Sequence, residues 1–161
     1  MKEFLAMIRT AIVLILILWL LFAFVIGIKM VPNDDMVPAM KAGDIMLYYR
    51  IDDRAKAHEV VVLKKNGTEY VGRIVAGGGD AVEITDEGNL IVNGNMVVEA
   101  NIYGKTQPYL GFVEYPLKLG KDECFILSDK REGGEDSRYY GPVKRSEIKG
   151  TVIGLYRRAG F

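Results

Sequence analysis

The chain has 161 residues, and its 21 Lys and Arg side chains balance 21 Asp and Glu side chains. A neutral protein exerts no general attraction on nucleic acid, so the charge balance argues against DNA or RNA binding. A single Cys, Cys124, and a single His, His58, exclude an intramolecular disulfide and a Cys/His metal cage. We therefore expect neither a metal nor any other cofactor.

The first element is an apolar run from residue 11 to residue 28, AIVLILILWLLFAFVIGI, without a charged side chain. As a helix it would span roughly 27 Å, close to the hydrocarbon core of a bilayer. A buried core helix or a cleaved signal peptide fits this run less well, because no polar face interrupts it and no small-x-small site follows. The sequence predicts a single-pass cell-membrane protein with a cytoplasmic tail (1–10), an anchor (11–28) and an extracytoplasmic domain (29–161). Lys2 and Arg9 ahead of the run place the N-terminus in the cytoplasm and the domain outside.

Short runs rich in β-branched and aromatic residues follow, separated by turn signals. The pair Asn93-Gly94 is typical of a type I′ turn and predicts a hairpin over 89–98. No helical pattern separates the strands, so the sequence predicts a mainly β fold of antiparallel sheets or a small barrel. One short helix is expected near Pro38–Lys41, and 99–120 is expected to be an irregular flap or loop. The predicted strands are 44–50, 59–64, 69–76, 81–84, 89–92, 95–98, 123–127 and 150–156.

Several polar or reactive features have simple structural interpretations. The GGGD segment at 77–80 lacks the GK[ST] ending of a nucleotide loop and predicts a tight strand connection. We expect His58 to be solvated and Cys124 to be a small core residue. The charged segment SDKREGGEDSR at 128–138 is either a solvated loop or the site of a buried Asp–Arg pair.

Three blocks behind the anchor resemble the type I signal peptidase family: NDDMVPAMKAGD (33–44), EYVGRIVAGGGD (69–80) and SDKREGGEDSR (128–138). The family pattern is Ser-Met-x-Pro-Thr with a later Gly-Asp, then Tyr-x-Lys-Arg with a later Gly-Asp, then Gly-Asp-Asn-Arg-x-x-Ser-x-Asp-Ser-Arg. The resemblance implies the signal peptidase β fold and a cleft that binds an extended segment as an added strand. It assigns the cleft to Asn33, Asp35, Met36, Pro38, Tyr70 and Gly72, and the structural motif to Gly43, Asp44, Arg73, Asp80, Asp129, Arg131, Asp136, Ser137 and Arg138.

The positions that carry the chemistry in that family hold other residues here. Asp35 stands at the position of the serine nucleophile, Gly72 at that of the lysine base, and Gly134 at that of the serine that orients the lysine. Glycine cannot take a proton, and the neighbouring Asp34 would point away from Asp35 in an extended segment, which disfavours a carboxylate dyad. We therefore expect a degenerate family member without peptidase activity.

The resemblance is strongest to the signal-peptidase-like proteins of streptococcal pilus gene regions, which implies a chaperone for pilin polymerisation by sortase on a Gram-positive surface. The expected partners are pilin subunits or other secreted segments, sortase, the bilayer and a second copy of the chain. Asp35 would pair with a partner's Lys or Arg, or simply face water. The alternatives are an active membrane serine-type endopeptidase that cleaves leader peptides, and a purely structural surface protein.

Overall fold

The computed structural model describes residues 1–51, 56–100, 102 and 104–157. Helix α1, Lys2–Leu20, continues as a π-helical segment, Leu21–Val25, and none of its side chains is buried. Together these 24 residues are long and apolar enough to cross a membrane. The helix begins earlier than the predicted anchor because residues 2–10 are also helical, and it ends earlier because Ile26 already pairs within a sheet.

The rest of the chain is mainly β, as the sequence predicts. Besides strands there are only a four-residue helix α2, Ser137–Tyr140, and a 3₁₀ turn, Arg145–Glu147, among the described residues. The strands are β1 Ile26–Met30, β2 Ile45–Tyr49, β3 Val60–Lys65, β4 Thr68–Ala76, β5 Ala81–Ile84, β6 Leu90–Val92, β7 Asn95–Met96, β8 Leu117–Lys118, β9 Glu123–Leu127, β10 Val143–Lys144 and β11 Ile148–Tyr156.

The strands form two antiparallel sheets. The larger sheet has the order β1-β2-β11-β3-β4-β9-β10, and the smaller has the order β7-β6-β5-β8. In the predicted hairpin, Asn93 and Gly94 have φ of 53° and 78°, the left-handed pair that a type I′ turn requires. Val82, Leu90, Phe125 and Leu127 pack together where the small sheet covers β9.

Two local expectations differ from the structure. The predicted anchor, 11–28, extends into β1, because Ile26 and Ile28 continue the apolar run. The segment at Pro38–Lys41 forms turns rather than a helix, since the Met40 amide donates to the Met36 carbonyl without continuing the pattern. The segment 99–120 is irregular apart from β8, and its residues 101 and 103 lie outside the described part of the chain.

Candidate active site

Asp35 lies in the turn that follows β1. Its carboxylate accepts a hydrogen bond from Asn33 Nδ2 at 2.7 Å, and its amide donates to Asn33 Oδ1 at 3.3 Å. The neighbouring Asp34 accepts instead from the Ala42 amide at 2.9 Å. The carboxylates of Asp35 and Asp34 therefore have separate hydrogen-bond partners.

Gly72 lies in the middle of β4, buried and paired with Val61 of β3. A Cβ added here would meet Ile126 Cγ2 at 2.5 Å and the Leu127 carbonyl oxygen at 3.3 Å. Real Cβ atoms do not approach other atoms as closely as 2.5 Å, so any larger residue at this position needs the Ile126 side chain to move. The volume beside Gly72 is thus already filled by an aliphatic group.

The segment 127–130 connects the three sequence blocks. Its first residue, Leu127, lies against Gly72, and its last, Lys130, donates its amide to the Asp35 carbonyl at 2.8 Å. Between them, Asp129 binds Arg73, with Nε–Oδ1 at 2.8 Å and Nη2–Oδ2 at 2.6 Å. Blocks that are distant in sequence therefore meet at one site.

The surroundings of Asp35 disfavour its negative charge. Burial is the main cause that raises the pKa of the Asp35 carboxyl, and the charges of Glu135 and Asp136 raise it further. The hydrogen bond from Asn33 and the Lys130 ammonium oppose the shift. Asp35 thus lies among carboxylates that disfavour its own charge, which makes it a better proton acceptor than an exposed aspartate.

Two tyrosines are electrostatically coupled to the acidic groups of the site. The rings of Tyr70 and Tyr140 lie 4.8 Å apart between centroids. Burial raises the pKa of Tyr140 well above its usual range, and the charge of Asp35 contributes to that shift. Burial likewise raises the pKa of Tyr70, and its contact with Glu135 adds to the effect. Both phenols therefore remain neutral hydrogen-bonding groups.

A family model described as "Signal peptidase, peptidase S26" matches residues 3–156. The chain belongs to the signal peptidase S26 family.

The chain is 28% identical over 142 residues to the Synechocystis sp. protein named "Probable signal peptidase I-2". The match covers 81% of this chain but 62% of that protein, so the chain spans less than two thirds of this relative. It is 26% identical over 170 residues to "Signal peptidase IB" of Staphylococcus aureus, covering 94% of this chain and 88% of that protein. A crystal structure of a signal peptidase I from Enterococcus faecalis has a TM-score of 0.48 at 21% identity, covering 61% of this chain and 96% of that one.

The expectation that this signal peptidase family member is not an enzyme is wrong on these comparisons. The relatives that match most of its length are named as signal peptidases, and the family model matches it almost from end to end. Asp35 and Gly72 depart from the family pattern at two positions, but by themselves they do not show that hydrolysis is lost. The narrower assignment to a degenerate, pilus-associated branch is not confirmed by these relatives.

The family's structural motif holds the site together through buried ion pairs. Arg138, with no exposed surface, binds Asp136 through Nε–Oδ1 at 2.9 Å and Nη2–Oδ2 at 2.7 Å. Asp136 also accepts the Ser128 amide and caps α2 through the Arg138 amide. Ser137 Oγ accepts the Ile126 amide at 3.0 Å. The charged segment 128–138 therefore contains a buried Asp–Arg pair, while Lys130, Glu132 and Glu135 remain exposed.

The remaining motif residues shape loops. Gly43, with φ of 90°, donates its amide to the Val31 carbonyl, and Asp44 accepts the Lys41 amide. Asp80 accepts the Gly77 amide at 2.8 Å, which confirms the GGGD segment as a tight strand connection. Arg131 is buried and binds Glu99 and Thr106.

Two residues that the resemblance assigned to the cleft have different surroundings. Met36 is fully buried in a core cluster with Met40 and Met46. Pro38 lines a cavity of about 580 Å³ whose other residues include Arg73 and Asp129. Since side chains alternate along a strand, Arg73 and this cavity lie on the face of β4 opposite to residue 72.

The lone His58 and Cys124 lie apart from the chemistry, as expected. His58 is exposed with φ of 74°, and its carbonyl accepts a hydrogen bond from Arg73. Cys124 is fully buried, and burial raises the pKa of its thiol. No group of His, Cys, Asp and Glu side chains suited to a metal ion occurs within the described ranges.

Sequence reasoning missed three residues of the site: Glu135, Tyr140 and Ser128. Glu135 occupies a variable position in the last block, and Tyr140 belongs to the YYG that follows the block. Both were visible beside the motif, but nothing in the sequence places them against Asp35. Ser128 occupies the first position of the block, but the sequence indicates no basic partner for its hydroxyl.

Proposed function

We propose that the chain is a membrane-anchored endopeptidase of the signal peptidase I type, which cleaves leader peptides of secreted proteins on the outer face of the cell membrane. The observation that carries this proposal is the convergence of the three family blocks on the segment 127–130 beside Asp35 and Gly72. The family match over 3–156 and the apolar helix Lys2–Val25 support it.

An extended substrate has strand edges to bind. Strand β9 pairs with β4 only from Arg73 onward, so within the described residues the first half of β4, Thr68–Gly72, has a strand partner on one side only. Strand β1 is also an edge strand. An ion pair between Lys29 of β1 and Glu69 of β4 brings these two edges together. A leader peptide that enters as an added strand would lie along Thr68–Gly72 and pass Asp35.

For the chemistry we assign the general base to Asp35. A water molecule attacks the scissile carbonyl while its proton passes to the Asp35 carboxylate, and the protonated carboxyl then gives that proton to the leaving amine. The raised pKa of Asp35 suits the first step, because it makes the carboxylate a better proton acceptor than an exposed aspartate. Tyr70 and Tyr140 stay protonated and can donate hydrogen bonds to the developing oxyanion.

Cleavage of a leader peptide by the purified full chain in detergent micelles tests this proposal. We expect turnover above a no-protein control, a loss of at least about 100-fold in kcat for Asp35→Asn, and little change for Asp34→Asn. The Asp34 variant is the matched control, because it removes the adjacent carboxylate, which binds the Ala42 amide instead of Asn33. Absence of turnover in the wild type would overturn the proposal, and full activity of Asp35→Asn would overturn the assigned base.

A second candidate function is the assembly of pilins for sortase. One observation favours it. Asp35 and Gly72 stand at the positions of the family's serine and lysine, and the pilus-associated proteins that the chain resembles also have Asp and Gly there. In this case the cleft holds an extended pilin segment and the Asp35 carboxylate pairs with a Lys or Arg of the pilin or of a second copy of the chain. Crosslinking from position 35 in intact cells distinguishes the candidates: leader peptides would be captured in the first, and pilins or a second copy in the other.

A further inference from the structure

A serine and a glycine have exchanged positions in the last block. The family pattern begins with Gly and places Ser at its seventh position, whereas this chain begins with Ser128 and has Gly134 at the seventh. The sequence alone gives no reason to connect the two changes, because five residues lie between them.

In the structure the two positions are in contact. A Cβ added to Gly134 would lie 2.6 Å from Ser128 Oγ and 2.7 Å from Ser128 Cβ. These approaches are far inside van der Waals contact, so the side chain of Ser128 fills the volume that a serine at 134 would occupy. A serine side chain thus occupies this volume, but it extends from residue 128 and not from residue 134.

The Ser128 hydroxyl is buried and has no hydrogen-bond partner in the described part of the chain. Ser137, on the same segment, shows the usual situation, because its Oγ accepts the Ile126 amide. Buried hydroxyls are normally paired, and an unpaired one calls for an unseen water or ligand. Its backbone is fixed, since the Ser128 amide donates to Asp136 and the next residue, Asp129, binds Arg73.

We propose that Ser128 is a positioning residue that replaces the hydroxyl of position 134 and hydrogen-bonds the attacking water. This inference rests on the proposed peptidase function. Ser128 lies in the segment whose one end, Leu127, contacts Gly72 and whose other end, Lys130, binds Asp35. A hydroxyl fixed between these two positions can donate a hydrogen bond to the water or accept one from it. This hydrogen bond orients the water toward the Asp35 carboxylate.

The spatial exchange is tested by thermal unfolding of four proteins: wild type, Ser128→Gly, Gly134→Ser and the double variant. We expect Gly134→Ser to lower Tm by about 4 °C or more in the wild-type background, and by much less in the Ser128→Gly background. A built Cβ at 134 also meets the Lys130 carbonyl oxygen at 2.9 Å, but this contact is common to both backgrounds and cancels. Additive effects on Tm would overturn the exchange.

The functional role is tested by leader-peptide cleavage with the same full-length proteins. Ser128→Ala should lower kcat about tenfold, the effect of one hydrogen bond in the transition state, with KM and Tm unchanged. The double exchange variant should recover most of kcat, whereas a merely structural serine would not give this rescue. Ser146→Ala, at an exposed serine, is the control and should match the wild type.

The outcomes separate this inference from the proposed function. An unchanged kcat in Ser128→Ala overturns the positioning role and leaves the peptidase intact. A wild type that does not cleave overturns the peptidase function, and the positioning role with it. In that case the Tm cycle still decides whether the two positions share one side-chain volume.

Discussion

At the scale of single residues, Asp35 is the group whose surroundings carry the strongest chemical consequence. It is half-buried, close to two further carboxylates, and held by Asn33. Burial and the charges of Glu135 and Asp136 outweigh the hydrogen bond and the Lys130 charge, so the pKa of Asp35 is raised from 3.8. The residue is therefore poised for proton transfer at some expense to the stability of the fold.

The destabilising charge of Asp35 predicts that Asp35→Asn raises Tm in a pH-dependent way. Because the folded pKa lies above the unfolded one, the wild type loses stability as pH rises from about 3.8 through the raised value, and the loss is complete above it. The neutral amide avoids this loss. A change of about 1 kcal/mol in the free energy of unfolding shifts Tm by ~4 °C. We expect Asp35→Asn to raise Tm at pH 7 by less than this, because the side chain is only half-buried.

Differential scanning fluorimetry from pH 3.5 to pH 8 measures the effect. The gain in Tm should shrink as the pH falls and disappear near the lower end of the series. Asp34→Asn is the control for the loss of one negative charge from the same turn. A gain that is constant with pH, or that grows in acid, would show that the charge of Asp35 is not the cause.

At the scale of elements, the short helix α2 depends on a buried ion pair. Asp136 caps the helix, binds the guanidinium of Arg138 through both oxygens and accepts the Ser128 amide. Arg138 also donates to the Gln107 carbonyl and stacks on the Tyr109 ring at 4.4 Å. The ion pair of Asp136 and Arg138 thus connects α2, the start of the last block and the irregular 99–120 segment.

We expect Asp136→Ala to lower the free energy of unfolding by about 3–5 kcal/mol, because it leaves the charge of Arg138 buried and unpaired. Glu147→Ala is the matched comparison. It breaks the pair of Lys65 and Glu147, whose side chains are 15% and 25% exposed, and should cost about 1 kcal/mol because solvent screens the pair. Urea unfolding of both variants in detergent measures the difference, and equal losses would contradict the role given to Asp136.

Element prediction from the sequence succeeded where the local signal was complete. The strands at 81–84 and 123–127 have the predicted bounds, because alternation and turn residues define both ends. Strands β8 and β10 were missed because two-residue strands exist only through pairing with β5 and β9. The contact between Ser128 and Gly134 likewise depends on how the loop folds back, which no local pattern encodes.

At the scale of the whole molecule, the apolar helix joins the β domain without a linker. The helical segment ends at Val25 and β1 begins at Ile26, paired with β2 from its first residue. Asp35 follows in the turn after β1. If the helix spans the bilayer, the site therefore lies close to the membrane surface, where the cleavage region of a membrane-inserted leader would emerge.

The charge distribution predicts the orientation of the whole chain. Lys2 and Arg9 precede the apolar run, so the N-terminus should be cytoplasmic and the β domain outside. Single cysteines introduced by Lys2→Cys and Ser146→Cys test this with a membrane-impermeant maleimide on intact protoplasts. We expect the Ser146→Cys protein to be labelled at once, and the Lys2→Cys protein only after permeabilisation.

The native cysteine provides the control for this experiment. Cys124 is fully buried and burial raises the pKa of its thiol, so the wild type should remain unlabelled on either side, since the thiolate is the reactive form. Labelling of the Lys2→Cys protein in intact protoplasts would reverse the orientation. The site would then face the cytoplasm, where it could not act on leader peptides of exported proteins after they cross the membrane.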